Sequence, residues 1–170
     1  MIAFFFSLAL SLQANAQTKP RSQPDSGFNK AMLAYQGQNY AGAYKLLVPL
    51  AKKNHVPAMA QLAYMYEYGI GARKDAGEAG KLYKKLMGQY MQQAQQGNAE
   101  AQYQVGQLHY GGKGVPENVP EAMRWFAKAG ENGHLESQYK LALLFDSGEK
   151  APRDPQAAVL WYTKAAEQGH

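Results

Sequence analysis

The sequence predicts an all-α fold, a right-handed α-solenoid of antiparallel helix pairs, on three observations. The segment AVLWYTKAAEQG (residues 158–169) rewrites AMRWFAKAGENG (residues 122–133) thirty-six positions later. Apolar residues recur at helical spacing on both sides of glycine-rich breaks. Cap and stop signals bracket each apolar stretch. At 170 residues the chain has the length of one ordinary domain. Self-similarity of this period means stacked supersecondary units rather than one closed core.

Residues 1–16 read as a secretory signal peptide. The apolar run over residues 2–12 (IAFFFSLALSL) is too short for a transmembrane helix. Ala14-Asn15-Ala16 supplies an A-x-A cleavage pattern, although no Lys or Arg precedes the run. Residues 17–26 (QTKPRSQPDS) hold two prolines and no large apolar side chain, as a disordered linker would. The chain has no cysteine. That excludes a disulfide scaffold and a lipid anchor on a lipobox cysteine. The expected location is periplasmic or secreted, with no stable membrane insertion once the signal is cleaved.

A divergent helix pair follows over residues 27–56. Phe28, Ala31, Leu33, Ala34 and Tyr35 suit one helix, QGQNY is a tight turn, and Tyr40, Ala43, Leu46, Leu47 and Leu50 suit the second. Pro49 should kink or shorten that second helix.

Three copies of one unit occupy residues 57–98, 99–134 and 135–170. A shift of thirty-six superimposes Ala101, Gln102, Tyr103, Gly112 and Trp125 on Ser137, Gln138, Tyr139, Gly148 and Trp161. A shift of forty-three lays Ala58, Leu62, Ala63, Gly69, Asp75 and Leu82 on Ala101, Val105, Gly106, Gly112, Asn118 and Trp125. Within each unit a helical stripe such as Ala101, Val105 and Leu108 meets a glycine break. Asp75 and Asn118 then stand as N-caps, each with Glu three residues on (Glu78, Glu121), the pattern of a capping box. Asp154-Pro155 is a cap followed by proline at the first helical position. The seven extra residues of the first unit fall in LMGQYMQQAQQG. They add about two turns and rotate the helix only about 20°, so a longer second helix is expected there.

The pattern A-x-A-Q-x-x-L-[AG]-x-x-Y-x-x-G-x-G, then D-x-x-x-A-x-x-W-Y-x-K-A-A-x-x-G, resembles the Sel-1-like repeat, a cousin of the tetratricopeptide repeat. The resemblance covers residues 57–170 and rests most on AEAQYQVGQLHYGGKGV and AVLWYTKAAEQG. The opening pair resembles a degenerate tetratricopeptide-like unit. Three departures stand out: Glu149-Lys150 replaces the second loop glycine of the third unit, His109 stands for Tyr, and Leu82-Tyr83 replaces Trp-Tyr. The chain stops at His170 without the polar capping helix that usually ends a stack. An apolar face would then remain for a partner or for self-association.

Chemistry is harder to find. The formal charge of +5 is spread over many Lys and Arg positions without a clustered basic stripe, so no nucleic-acid partner is expected. His55, His134 and His170 share one repeat position and cannot converge on one metal ion, while His109 sits where a side chain packs between helices or lines the groove. No metal, cofactor or catalytic residue is assigned. Ser147-Gly148-Glu149-Lys150 fits S-x-x-K, the acylated serine motif, which supports a second reading as an envelope hydrolase or penicillin-interacting protein. Its serine falls in the inter-helix loop, aligned with Gly111, and no S-D-N or K-T-G partner exists. Glu67 and Asp146, equivalent in the first and third units, read as parts of a solvated face rather than a catalytic pair.

A stacked solenoid has a concave wall lined by its first helices. The columns facing it are Ala60, Tyr103 and Tyr139; Tyr64, Gln107 and Leu143; and Glu67, Tyr110 and Asp146, with Tyr35 extending the last. Tyrosine supplies contact area at low entropic cost together with a hydroxyl. Tyr103 and Tyr139 could equally pack between units. The leading expectation is a non-catalytic protein–protein interaction scaffold that holds a peptide or protein surface in this groove.

Overall fold

Eight helices follow one another through residues 26–168, the part described by the structure, a computed structural model. They are α1 (Ser26–Gln36), α2 (Tyr40–Lys52), α3 (Val56–Tyr68), α4 (Ala76–Gln95), α5 (Ala99–Tyr110), α6 (Val119–Glu131), α7 (Leu135–Ser147) and α8 (Pro155–Glu167). No strand occurs among these residues. Each helix packs chiefly on the helices before and after it, so the pairs α1/α2, α3/α4, α5/α6 and α7/α8 stack in chain order as an α-solenoid. The segment read above as a signal peptide, the expected linker through residue 25, and residues 169 and 170 lie outside the described residues. No described helix is long and apolar enough to cross a membrane.

Side chains mark where the helices begin. Asn39, Asp75, Asn118 and Asp154 cap the second helix of each pair by accepting the amides of Gly42, Glu78, Glu121 and Ala157 at 2.9–3.1 Å. The capping boxes form only in half. Glu78 and Glu121 turn to Lys81 and Arg124, at 2.6 and 3.2 Å, where a charge-assisted contact replaces the return bond to the cap. First helices α3, α5 and α7 are capped by His55, Asn98 and His134, whose side chains accept the amides of Ala58, Ala101 and Ser137.

His55 and His134, the recurring histidines among the described residues, are therefore helix caps. A ring that accepts at Nδ1 is neutral and keeps its proton on Nε2. In His134 that proton points at the Glu100 carboxylate on α5, 3.0 Å away. Burial raises the Glu100 pKa most strongly, but hydrogen bonds from His134 and Gln104 outweigh it and hold the carboxyl below its ordinary range. The His134 ring stacks on Tyr103 at 4.7 Å, as His55 meets Phe28 at 5.2 Å. Each histidine cap thus joins its helix to the first helix of the preceding pair.

Two buried glutamines repeat a second link. Gln102 donates from Nε2 to the Ala94 carbonyl of α4 at 3.1 Å and accepts from Asn132, just past α6, at 3.0 Å. Gln138 donates to the Gly130 carbonyl at 2.8 Å and accepts from Gln168 at 2.8 Å. Met59, fully buried, stands at the same position of the first unit.

Close helix approach sets the remaining core. A Cβ on Gly106 would meet the ring of Phe126 at 2.5 Å, and that ring is wholly buried. Trp125 and Trp161 are buried, each covered by a lysine ammonium, Lys128 at 4.2 Å and Lys164 at 4.4 Å from the ring centre. α4 runs 20 residues where α6 and α8 run 13, so the insertion lengthens the helix. α2 is not shortened by Pro49 and continues to Lys52. Pro49 is exposed, so water can meet the carbonyl its ring leaves unbonded. Leu33 and Leu46, assigned above to packed stripes, are 67% and 40% exposed.

Gly106→Ala should lower stability by about 1–3 kcal/mol in denaturant titration, because Phe126 has nowhere to move. His134→Ala should cost about 1 kcal/mol, whereas His134→Asn should restore most of it, as Asn98 already does in the preceding unit. An asparagine variant as unstable as the alanine one would refute the cap assignment.

Candidate interaction surface

The first helices do carry the tyrosines expected of them, but in two separate groups. Around α1 and α3, Tyr35 packs edge-on to Tyr40 at 5.0 Å, with Gln61 beside its hydroxyl. Tyr64 lies against Tyr68 at 4.5 Å. Burial, and to a lesser extent the neighbouring Tyr64, raises the pKa of Tyr35. Tyr64 is raised by burial first and then by Tyr68. Tyr68 is 55% exposed and was absent from the expected columns. Its position four residues after Tyr64, hence on the same helix face, was the signal available for it.

Glu67 is not part of a solvated face. Its carboxylate accepts from the Tyr83 hydroxyl of α4 at 2.5 Å and from Lys113 Nζ at 2.9 Å. Lys113 belongs to the glycine-rich loop of the next unit. Its ammonium also lies over the rings of Tyr83 and Tyr68, at 5.2 and 5.9 Å. Burial above all, and then the bond to Glu67, raises the pKa of Tyr83 far enough to keep it a donor. Gly114 makes this docking feasible: it has φ of +73°, and a side chain there would strike the backbone of α4 at Lys84.

The same column position repeats the arrangement one unit later with different chemistry. Tyr110, equivalent to Glu67, carries Lys150 from the following loop over its ring at 4.6 Å. Lys140 of α7 lies over that ring too, at 4.3 Å. Burial, with Lys150 as a lesser contributor, lowers the Lys140 pKa. Tyr103 is mostly interior: it lies between His134 and Phe126 and takes a hydrogen bond from Gln107. Burial pushes its hydroxyl up to about 12. Packing between units is thus its main role, which removes most of Tyr103 and Gln107 from the surface.

The second exposed group belongs to α7. Tyr139 and Leu143 are exposed, and Tyr139 meets Tyr162 of α8 edge-on at 6.0 Å. Asp146 is exposed beside Tyr162 and Arg153. Tyr110, Lys140, Leu143 and Ser147 line an open depression of about 230 Å³ together with Leu144 and Glu149.

Ser147 closes α7, with Gly148 as its C-cap, rather than standing in the loop. Its hydroxyl accepts the Glu149 amide at 3.4 Å. Lys150 donates to Glu117 at 2.9 Å, and that hydrogen bond raises its pKa. A lysine held protonated on a carboxylate is a poor base for activating a serine.

The family model of the Sel1 repeat matches residues 56–86, 99–134 and 135–170. No curated protein matches the chain. Among solved structures, a Sel1 repeat protein from Oxalobacter formigenes is similar at 29% identity and a TM-score of 0.56, covering 84% of this chain and 56% of its own. A protective antigen present in uropathogenic Escherichia coli strains, displaying an SLR fold, is similar at 29% identity and a TM-score of 0.59. That match covers 85% of this chain and 31% of the antigen. The chain therefore spans about half the length of one relative and a third of the other.

The Glu67–Lys113 pair should couple in a double-mutant cycle. Glu67→Gln and Lys113→Ala should each cost on the order of 1 kcal/mol, and together clearly less than their sum. Strict additivity in denaturant titration would show that the contact contributes nothing between units.

Proposed function

The chain belongs to the Sel1 repeat family, and on that footing we propose that it is a non-catalytic scaffold of the cell envelope that holds a peptide or protein segment along its first helices. Sel1 repeats generally mediate protein interaction. The observation that carries the finer reading is the exposure of Tyr68 beside half-buried Tyr64 on α3, and of Tyr139 with Leu143 on α7. Tyr64 with Tyr68 offers one foothold, and Tyr139 with Leu143 the other. Rings of this kind anchor partners because two side-chain torsions are immobilised for a large contact area.

Tyr35 extends the first foothold, and Tyr110 and Asp146 border the second. Glu67, Tyr103 and Gln107 act behind them, keeping neighbouring units in register so that the two footholds stay a constant distance apart. A location in the periplasm or outside the cell follows from the N-terminal apolar run and is part of the proposal. So is the absence of covalent chemistry.

Photo-crosslinking from positions 64 and 139 of the full chain, expressed in its own cells, tests the reading. A discrete crosslinked protein should form from these positions and not from Lys84 on α4. It should weaken at least tenfold when Tyr68 and Leu143 are changed to alanine, with the melting temperature unchanged. Equal crosslinking from position 84, or no effect of the alanine changes, would sink the assignment.

A further inference from the structure

The positive charge of the chain is sorted by helix. In α2 and α4, the second helices of the first two pairs, Lys45, Lys52, Lys81, Lys84 and Lys85 are all exposed. Counted from the caps Asn39 and Asp75 at 100° per residue, all five fall within an arc of about 100°. That arc lies opposite the buried stripe, Ala43, Leu47 and Ala51 on α2, and Ala79, Tyr83 and Leu86 on α4. Lys45 and Lys81 occupy the same register position, six residues past their caps, in successive pairs. Lys53 extends the row just past α2.

Little neutralises this face. Glu78 is the one carboxylate within the two helices, and it takes Lys81 at 2.6 Å. Among the described residues, Lys45, Lys52, Lys84 and Lys85 make no ion pair. The added turns of α4 continue the exposed arc with Gly88, Gln92 and Gln95, polar but uncharged. On the other side of the stack, helices α3, α5 and α7 carry Glu67, Glu100, Glu136 and Asp146 against Lys140 alone.

We propose that the outer wall of α2 and α4 is a docking face for an anionic lipid bilayer. The cations of the face are lysines without an arginine, and no exposed aromatic ring stands between them. Nucleic acid is gripped by guanidinium forks and by rings on which bases stack. A charged headgroup layer asks only for a broad field of ammonium groups, each contributing about 1 kcal/mol near the surface. The opposite wall, with its tyrosines and carboxylates, then faces away from the membrane and stays open to a protein partner.

Co-sedimentation of the full chain with vesicles tests the proposal. Binding to phosphatidylglycerol–phosphatidylcholine vesicles should exceed binding to phosphatidylcholine alone at about 0.15 M salt, a Debye length of about 8 Å. Lys81→Gln/Lys84→Gln/Lys85→Gln should weaken it roughly 100-fold with helicity unchanged. The charge-matched Lys30→Gln/Lys150→Gln/Arg153→Gln variant should weaken it only a few-fold. Equal losses in the two variants would overturn the proposal, since net charge alone would then explain binding. So would failure to sediment with the anionic vesicles. Retardation of a DNA duplex lost with the first variant, without vesicle binding, would assign the face to nucleic acid instead.

Discussion

The carboxamide of Gln138 reaches from α7 to the Gly130 carbonyl at the end of α6 and is itself held by Gln168 beyond α8. Gln102 does the same for α4, α5 and α6. Carbonyls in the last turn of a helix have no partner within it, and burying them unpaired is costly. The Ala94 and Gly130 carbonyls take turn bonds from the Gly97 and Gly133 amides, and the glutamine of the next unit adds a second donor to each, a donor that Met59 does not offer at the first joint. At these two joints one buried side chain thus ties the end of the preceding helix to the segment after the following one. The close meeting of Gly106 with Phe126 and the direction of Tyr139 on α7 depend on the spacing held at these joints.

The histidine caps and loop lysines add directional ties to the same joints. His134 satisfies the start of α7 with one nitrogen and meets Glu100 of α5 with the other. Lys113 leaves its own loop to settle on Glu67. Neither contact stabilises a single pair by itself, and both are lost if one unit shifts against its neighbour. A surface intended to hold a partner along several units needs such rigidity, because an extended contact binds well only if its footholds keep their separation.

Much of the architecture was legible beforehand. The period, the paired helices, the caps at Asp75, Asn118 and Asp154, and the place of the longer helix follow from signals within a few residues of one another. The histidine positions were visible as a repeat, but their capping role was not, since histidine is not among the usual cap residues. The site was read less well. Tyr139 and Leu143 do lie on exposed surface, and Tyr64 is half-buried against exposed Tyr68. Glu67 and Tyr103 were taken for possible ligand contacts because their positions on the helix are correct. They are engaged by Lys113 and His134, from segments 46 and 31 residues further along.

The chain's local chemistry alone therefore determined where each helix starts and stops and which stripe is apolar, because capping and helical periodicity act over one or two turns. Only the stacked structure decided which polar and aromatic side chains remain open to a partner and how the cations gather on one wall. Both depend on which side chain of the next unit arrives at a given position. That is set by the packing of units against one another, and no pattern inside a single unit contains it.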